Sequence, residues 1–348
     1  MRTMPQVRPE LRLLPRGRAI LFAFLFTLAL PALGQRLPVE SDRAIVASAS
    51  RLASDIGMQI LKRGGNAADA AVATGIALAV TYPRAGNIGG GGFAVIRLPD
   101  GRTTSIDFRE QAPAAASRDM YLDDKGSVVA GRSTAGHLAA GVPGTIAGLA
   151  LLHRKYGSGK LSWSQLLEPA RQLAANGFAV SPALARDLQA GTRVLGRFPV
   201  SKRIFLRDGN YYRAGELLRQ PDLAKTLQRL QQRGPTEFYT GKTAQLIAAE
   251  MSANGGLITA ADLAAYRAVE REPLHGSYRG YEVVTMAPPS SGGVALLQML
   301  AMLEPRNIAP LGANSAARIH LFAEVMRRAF RDRASFLGDP DFMQVPVT

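Results

Sequence analysis

Cysteine is absent from the 348 residues, so nothing in the stability of the chain rests on disulfides. Histidine is nearly as scarce. His137, His153, His275 and His320 are scattered, with no metal-ligand spacing among them, so neither a structural metal nor a cofactor is expected. Aromatic residues make up only 7% of the chain, and acidic residues are outnumbered, 27 against 42 basic, leaving a net charge of +15. Such a charge raises the question of nucleic acid. The basic residues are spread along the chain, and the densest run, Arg327, Arg328, Arg331 and Arg333, recurs at helical spacing beside Glu324 and Asp332. It reads as a solvated helix face, and no nucleic-acid partner is expected.

Long apolar runs are also missing, save one. Ala19–Leu30 is apolar over twelve residues, short for a bilayer span. Arg2, Arg8, Arg12, Arg16 and Arg18 precede it against one acid, Glu10, and Ala32-Leu33-Gly34 places small residues before Gln35. This is the pattern of a secretory signal peptide over 1–34. The mature chain, 35–348, is then expected in the periplasm or secreted, with no membrane contact after cleavage.

Glycine, by contrast, is concentrated. Gly86–Pro113 opens with four consecutive glycines, Gly89 to Gly92, followed by the apolar run Phe93-Ala94-Val95-Ile96. Pro99-Asp100-Gly101 is turn chemistry. Thr103–Arg109 then alternates, with Thr104, Ile106 and Phe108 on one face and Ser105, Asp107 and Arg109 on the other. The stretch predicts a β-hairpin with Arg109 on the polar face at the end of its second strand. A nucleotide-binding loop needs a strand before its glycines and a helix after them, the reverse of this order. Two readings stand: close backbone packing, or a pocket floor on which a ligand reaches the main chain. Arg109 likewise has two readings. Asp107 or Glu110 can neutralise it in a structural ion pair, or its planar fork can hold the carboxylate of a small molecule.

In chain order, Ala44–Ala47 reads as a strand and Ala53–Arg63 as a helix ended by Gly64-Gly65. Asn66 or Asp69 starts an alanine-rich helix with Val72, Ile76 and Val80 as its stripe, expected to cover the hairpin's sheet. Ser133–Gly144 is a loop and Thr145–Tyr156 a helix; Ser162–Gln165 is a capping box for a helix that stops at Asn176. Helices follow at Pro182–Ala190, Leu223–Arg233, Thr243–Ala253 and Ala260–Tyr266, then a strand at Tyr281–Met286. Pro288–Gly293 breaks the chain before helices at Val294–Leu303 and Ser315–Phe336. Ser290 and Ser291 lack a G-x-S-x-G elbow and read as a turn and helix cap rather than nucleophiles. The class is α+β, with sheet strands drawn from distant sequence.

GGNAADAAVA (Gly64–Ala73), GNIGGGGF (Gly86–Phe93), DFREQAP (Asp107–Pro113), GVPGT (Gly141–Thr145), PPSSGG (Pro288–Gly293) and LGDPDF (Leu337–Phe342) together resemble the γ-glutamyltransferase family, in that family's order. The resemblance implies an N-terminal-nucleophile hydrolase, an αββα sandwich whose precursor cuts itself into a large and a small subunit. The nucleophile is the new N-terminal Thr of the small subunit, activated by its own amine. The substrates are glutathione and other γ-glutamyl amides, and the acceptors are water, amino acids or dipeptides. Arg109 is then expected to bind the α-carboxylate of the γ-glutamyl group, with Asp107, Glu110 and the 89–92 glycines shaping the pocket. Nothing in the chain matches the family's Thr-Thr-His cleavage junction, and Thr348 cannot be an N-terminal nucleophile. The expectation is an incomplete large subunit, 35–348, with no catalytic residue of its own. Two alternatives are an amidohydrolase of the same fold resembling glutaryl or cephalosporin acylases, and a non-catalytic remnant.

Overall fold

The computed structural model describes residues 38–347; the expected signal peptide and Thr348 lie outside them. Residues 44–47, expected as a strand, join no sheet among the described residues, because no neighbouring strand offers them a ladder.

Helix α1 (Arg51–Lys62) ends as expected at Gly64, whose φ of +88° reverses the chain without a Cβ clash. Asn66 caps α2 (Ala67–Thr81): its side chain accepts the Asp69 N–H at 3.1 Å, while the Asp69 carboxylate accepts the Asn66 N–H at 3.0 Å. Val72, Ile76 and Val80 are buried, but so are Ala70, Ala73 and Ala77, so α2 is apolar on nearly every side. A helix of that kind sits inside a helix cluster. Its nearest helical neighbours are α1, α3 (Thr145–Tyr156) and α4 (Trp163–Asn176), and Val72, Ile76 and Val80 share one core with Ile106 and Phe108 of the hairpin stretch. The Ser162 and Gln165 capping box opens α4 as read.

Strands β1 (Phe93–Arg97) and β2 (Thr103–Asp107) form the predicted hairpin, with Phe93 opposite Asp107 and Arg97 opposite Thr103. After α4 the chain adds the expected helix at 182–190, extended here to Leu195, among short pieces that carry no sequence period. Strand β3 (Phe178–Ala179) precedes α5 (Pro182–Leu195) and α6 (Pro199–Phe205). Next come β4 (Leu206–Arg207), which pairs with β5 (Asn210–Tyr211), and β6 (Leu217–Leu218), which pairs back with β3. Helices α7 (Pro221–Arg233), α8 (Thr236–Thr240), α9 (Lys242–Ala253) and α10 (Ala260–Ala265) complete the middle. Strand β7 (Val269–Arg271) then returns to lie antiparallel beside β2, giving a sheet of order β1-β2-β7. Strands β8 (Leu274–Tyr278) and β9 (Tyr281–Thr285) form a second hairpin before α11 (Ser291–Leu303) and α12 (Ala316–Phe336).

The return of β7 changes the hairpin. Ser105 and Asp107, expected on an open polar face, are 0% and 7% exposed. The Ser105 hydroxyl satisfies itself by donating to the Arg271 carbonyl at 2.8 Å. Strand β2 ends at Asp107, so Arg109 stands two residues past the sheet rather than on its last rung.

Candidate functional site

The residue before Arg109 anchors it. Phe108 is buried, and four glycines press against it: a Cβ on Gly91 or Gly144 would strike the Phe108 carbonyl, and one on Gly92 or Gly148 would strike its ring. The Gly90 carbonyl also accepts the N–H groups of Gly144 and Thr145, at 2.6 and 3.0 Å. Close packing therefore accounts for Gly90 to Gly92, and only Gly89 faces open space. Tyr266 holds the next carbonyl, its hydroxyl donating to the Arg109 oxygen at 2.8 Å. Its ring stacks on Tyr239 at 5.7 Å and 11°. The Tyr239 hydroxyl donates to the Pro143 carbonyl and accepts the Ala147 N–H, both at 3.0 Å. Burial pushes both phenols well above their ordinary pKa, so they stay neutral donors.

With its main chain fixed, Arg109 projects an exposed side chain. Its guanidinium makes no hydrogen bond or ion pair among the described residues. Asp107 does not neutralise it. One Asp107 oxygen accepts the Arg109 N–H at 3.0 Å and the other accepts Arg271 Nε at 2.8 Å. Arg271 turns its two outer nitrogens to Asp341, at 3.0 and 2.8 Å. Asp341 first, then Asp107, holds the Arg271 pKa above the usual guanidinium value, and Arg271 holds the Asp341 carboxyl below its ordinary value. Asp107, expected to shape the pocket, is nearly buried and meets Arg109 only at its backbone. Glu110 is exposed and does line the space in front of Arg109.

That space is a cavity of about 410 Å³ bounded by Arg109 and Glu110 on one side and by Ser291, Arg333, Gly338 and Asp339 on the other. Residues of three motifs, DFREQAP, PPSSGG and LGDPDF, therefore meet at one opening. A second cavity, about 290 Å³, lies on the other side of Arg109 and Glu110, towards Met120 and Leu138. The GGNAADAAVA motif is structural: Asp69 is fully buried and accepts the N–H groups of Asn66 and Ser158, each at 3.0 Å. Ser290 caps α11 through the Gly292 N–H, as expected. The Ser291 hydroxyl accepts Arg333 Nε at 2.8 Å, and a guanidinium cannot take a proton from it. Arg327 and Arg328 pair with Glu324 and Arg331 pairs with Asp332, as a solvated face would; Arg333 departs from that reading by turning onto Ser291 and the cavity. Tyr266 and Arg271 carry no sequence signal, since their partners lie 157 and 164 residues away.

The same arrangement of helices and sheet recurs in a solved Helicobacter pylori γ-glutamyltranspeptidase, with a TM-score of 0.86, 46% identity and 89% of each chain covered. A glutathione hydrolase proenzyme of Escherichia coli K12 is 51% identical over 310 residues, 89% of this chain and 53% of that protein. An acylase ACY 1 proenzyme of Pseudomonas sp. V22 is 40% identical, over 90% of this chain and 57% of the acylase. The fold is thus the α+β architecture expected of N-terminal-nucleophile hydrolases. The Gamma-glutamyltranspeptidase family profile matches residues 53–348, and the chain belongs to that family. It spans about half the length of the curated relatives it matches.

Proposed function

We propose that this chain supplies the large-subunit part of a γ-glutamyltransferase that acts as a glutathione hydrolase. Arg109 is its α-carboxylate clamp, and residues 35–348 are exported behind a cleaved signal peptide to the periplasm or beyond. The small subunit of the same precursor provides the nucleophilic Thr. Its hydroxyl adds to the γ-amide carbonyl, and the C–N bond breaks as the amine leaves with the hydroxyl proton. The resulting ester passes the γ-glutamyl group to water, an amino acid or a dipeptide.

The observation that carries this reading is Arg109, exposed at the edge of a cavity where three motifs meet while its natural counter-ion, Asp107, is committed to Arg271. A planar fork on an immobile backbone suits a carboxylate gripped by two parallel hydrogen bonds. The stronger likeness to a glutathione hydrolase than to an acylase favours a γ-glutamyl over a glutaryl substrate.

Arg109→Ala in the complete processed enzyme tests the clamp. A charge-assisted hydrogen bond is worth about 1.5–3 kcal/mol, so kcat/KM for a γ-glutamyl amide should fall roughly 10–150-fold. An unchanged value would return Arg109 to the protein surface as an ordinary exposed cation.

A further inference from the structure

Arg271 occupies an unusual position for a side chain with no motif around it. It leaves β7 at the rung opposite Ser105, is only 16% exposed, and bonds two carboxylates at once. One is Asp107, whose other oxygen holds the Arg109 N–H at 3.0 Å. The other is Asp341, in the segment whose Leu337, Gly338 and Asp339 form the far wall of the Arg109 cavity. Asp341 is itself anchored locally, its N–H donating to Asp339 at 3.0 Å. The two walls of the cavity are therefore tied together by one guanidinium.

We propose that Arg271 is a positioning residue that sets the placement of Arg109 and the width of its cavity, by clasping Asp107 behind one wall and Asp341 behind the other. It touches no substrate. It acts on γ-glutamyl recognition through Arg109, and so rests on the carboxylate-clamp reading above. Lysine cannot replace it, because a single ammonium has no fork with which to donate two parallel bonds to Asp341 while a third reaches Asp107.

The test is a double-mutant cycle in the complete processed enzyme with a γ-glutamyl amide. Arg271→Lys should raise KM roughly 10-fold or more with little change in kcat, the mark of a misplaced binding group. In an Arg109→Ala background the same substitution should change kcat/KM less than 2-fold, because the group it positions is gone. Equal losses in the two backgrounds would reduce Arg271 to general support and overturn the proposal. So would no loss in the unaltered background. If Arg109→Ala alone has no effect, the clamp reading fails first and takes the positioning role with it. Should Arg271→Lys not fold, Asp341→Asn, at the solvent end of the clasp, replaces it in the cycle. Amide hydrogen exchange in that variant should be faster at both 107–110 and 337–342. Faster exchange at 337–342 alone would mean the two walls are not coupled.

Discussion

Phe108 and Tyr266 decide where Arg109 can be, and both act on the main chain. Replacing Tyr266 by Phe removes the donor to the Arg109 carbonyl and leaves the stack on Tyr239 intact. A net loss of about 1 kcal/mol in folding stability is expected, read as a lower denaturant midpoint with an unchanged slope. Gly148→Ala is the harsher change, because its Cβ meets the Phe108 ring rather than a flexible tip. Overpacking of this kind costs about 1–3 kcal/mol, and Gly101→Ala, in open space at φ +87°, is the comparison that separates crowding from backbone strain. At this scale the sequence pointed to Arg109 and to the Ser290 cap. It left open an ion pair between Asp107 and Arg109 and could not find the Arg271 partner, because alternation along one strand says nothing of a third strand arriving from residue 269.

Among the elements, α4 and α7 are bound by a polar knot at Glu168. This carboxylate accepts from Arg171 at 2.8 and 2.6 Å, from Gln172 at 2.9 Å and from Gln231 of α7 at 2.8 Å. The bonds from Arg171, foremost, pull its pKa from 4.5 to about 2. A depressed carboxylate pKa contributes stability that is complete above the unfolded value and is lost as pH falls through the folded one. The window here runs from about pH 4.5 down to about pH 2. Glu168→Gln should therefore melt below the unaltered protein at pH 6, and the gap in Tm should close as pH approaches 2. A gap independent of pH would mean that the knot works by shape and not by charge. The helices were largely legible, since α3, α4 and α9 match their expected bounds to within one residue and α4 carries its own capping box. The two- and three-residue strands were not, because pairing rather than periodicity makes them.

For the whole molecule, the long helix α12 is the exposed feature that calls for a partner. Ile319, Phe322, Met326 and Phe330 recur at helical spacing and stand open to solvent, Ile319 at 59% and Phe330 at 51%. If the proposed small subunit covers this face, the chain alone should bind an apolar dye such as ANS, and the processed two-subunit enzyme should not. Dye binding that is the same in both would leave the face exposed in the mature protein. The periodicity of α12 was visible in the sequence; which of its faces lacks cover was not, because cover is a property of the other elements.

The sheet order β1-β2-β7 has a consequence for how the molecule comes into being. Asp107 and Arg271 are 164 residues apart. A ribosome adding about 5–20 residues per second delivers the second roughly 10–30 s after the first. The β1–β2 hairpin can close in microseconds, yet throughout that delay its open flank and the Asp107 carboxylate wait for a strand not yet synthesised. The cavity in front of Arg109 therefore cannot close until β7 and the 337–341 segment have both followed the hairpin and met it through Arg271.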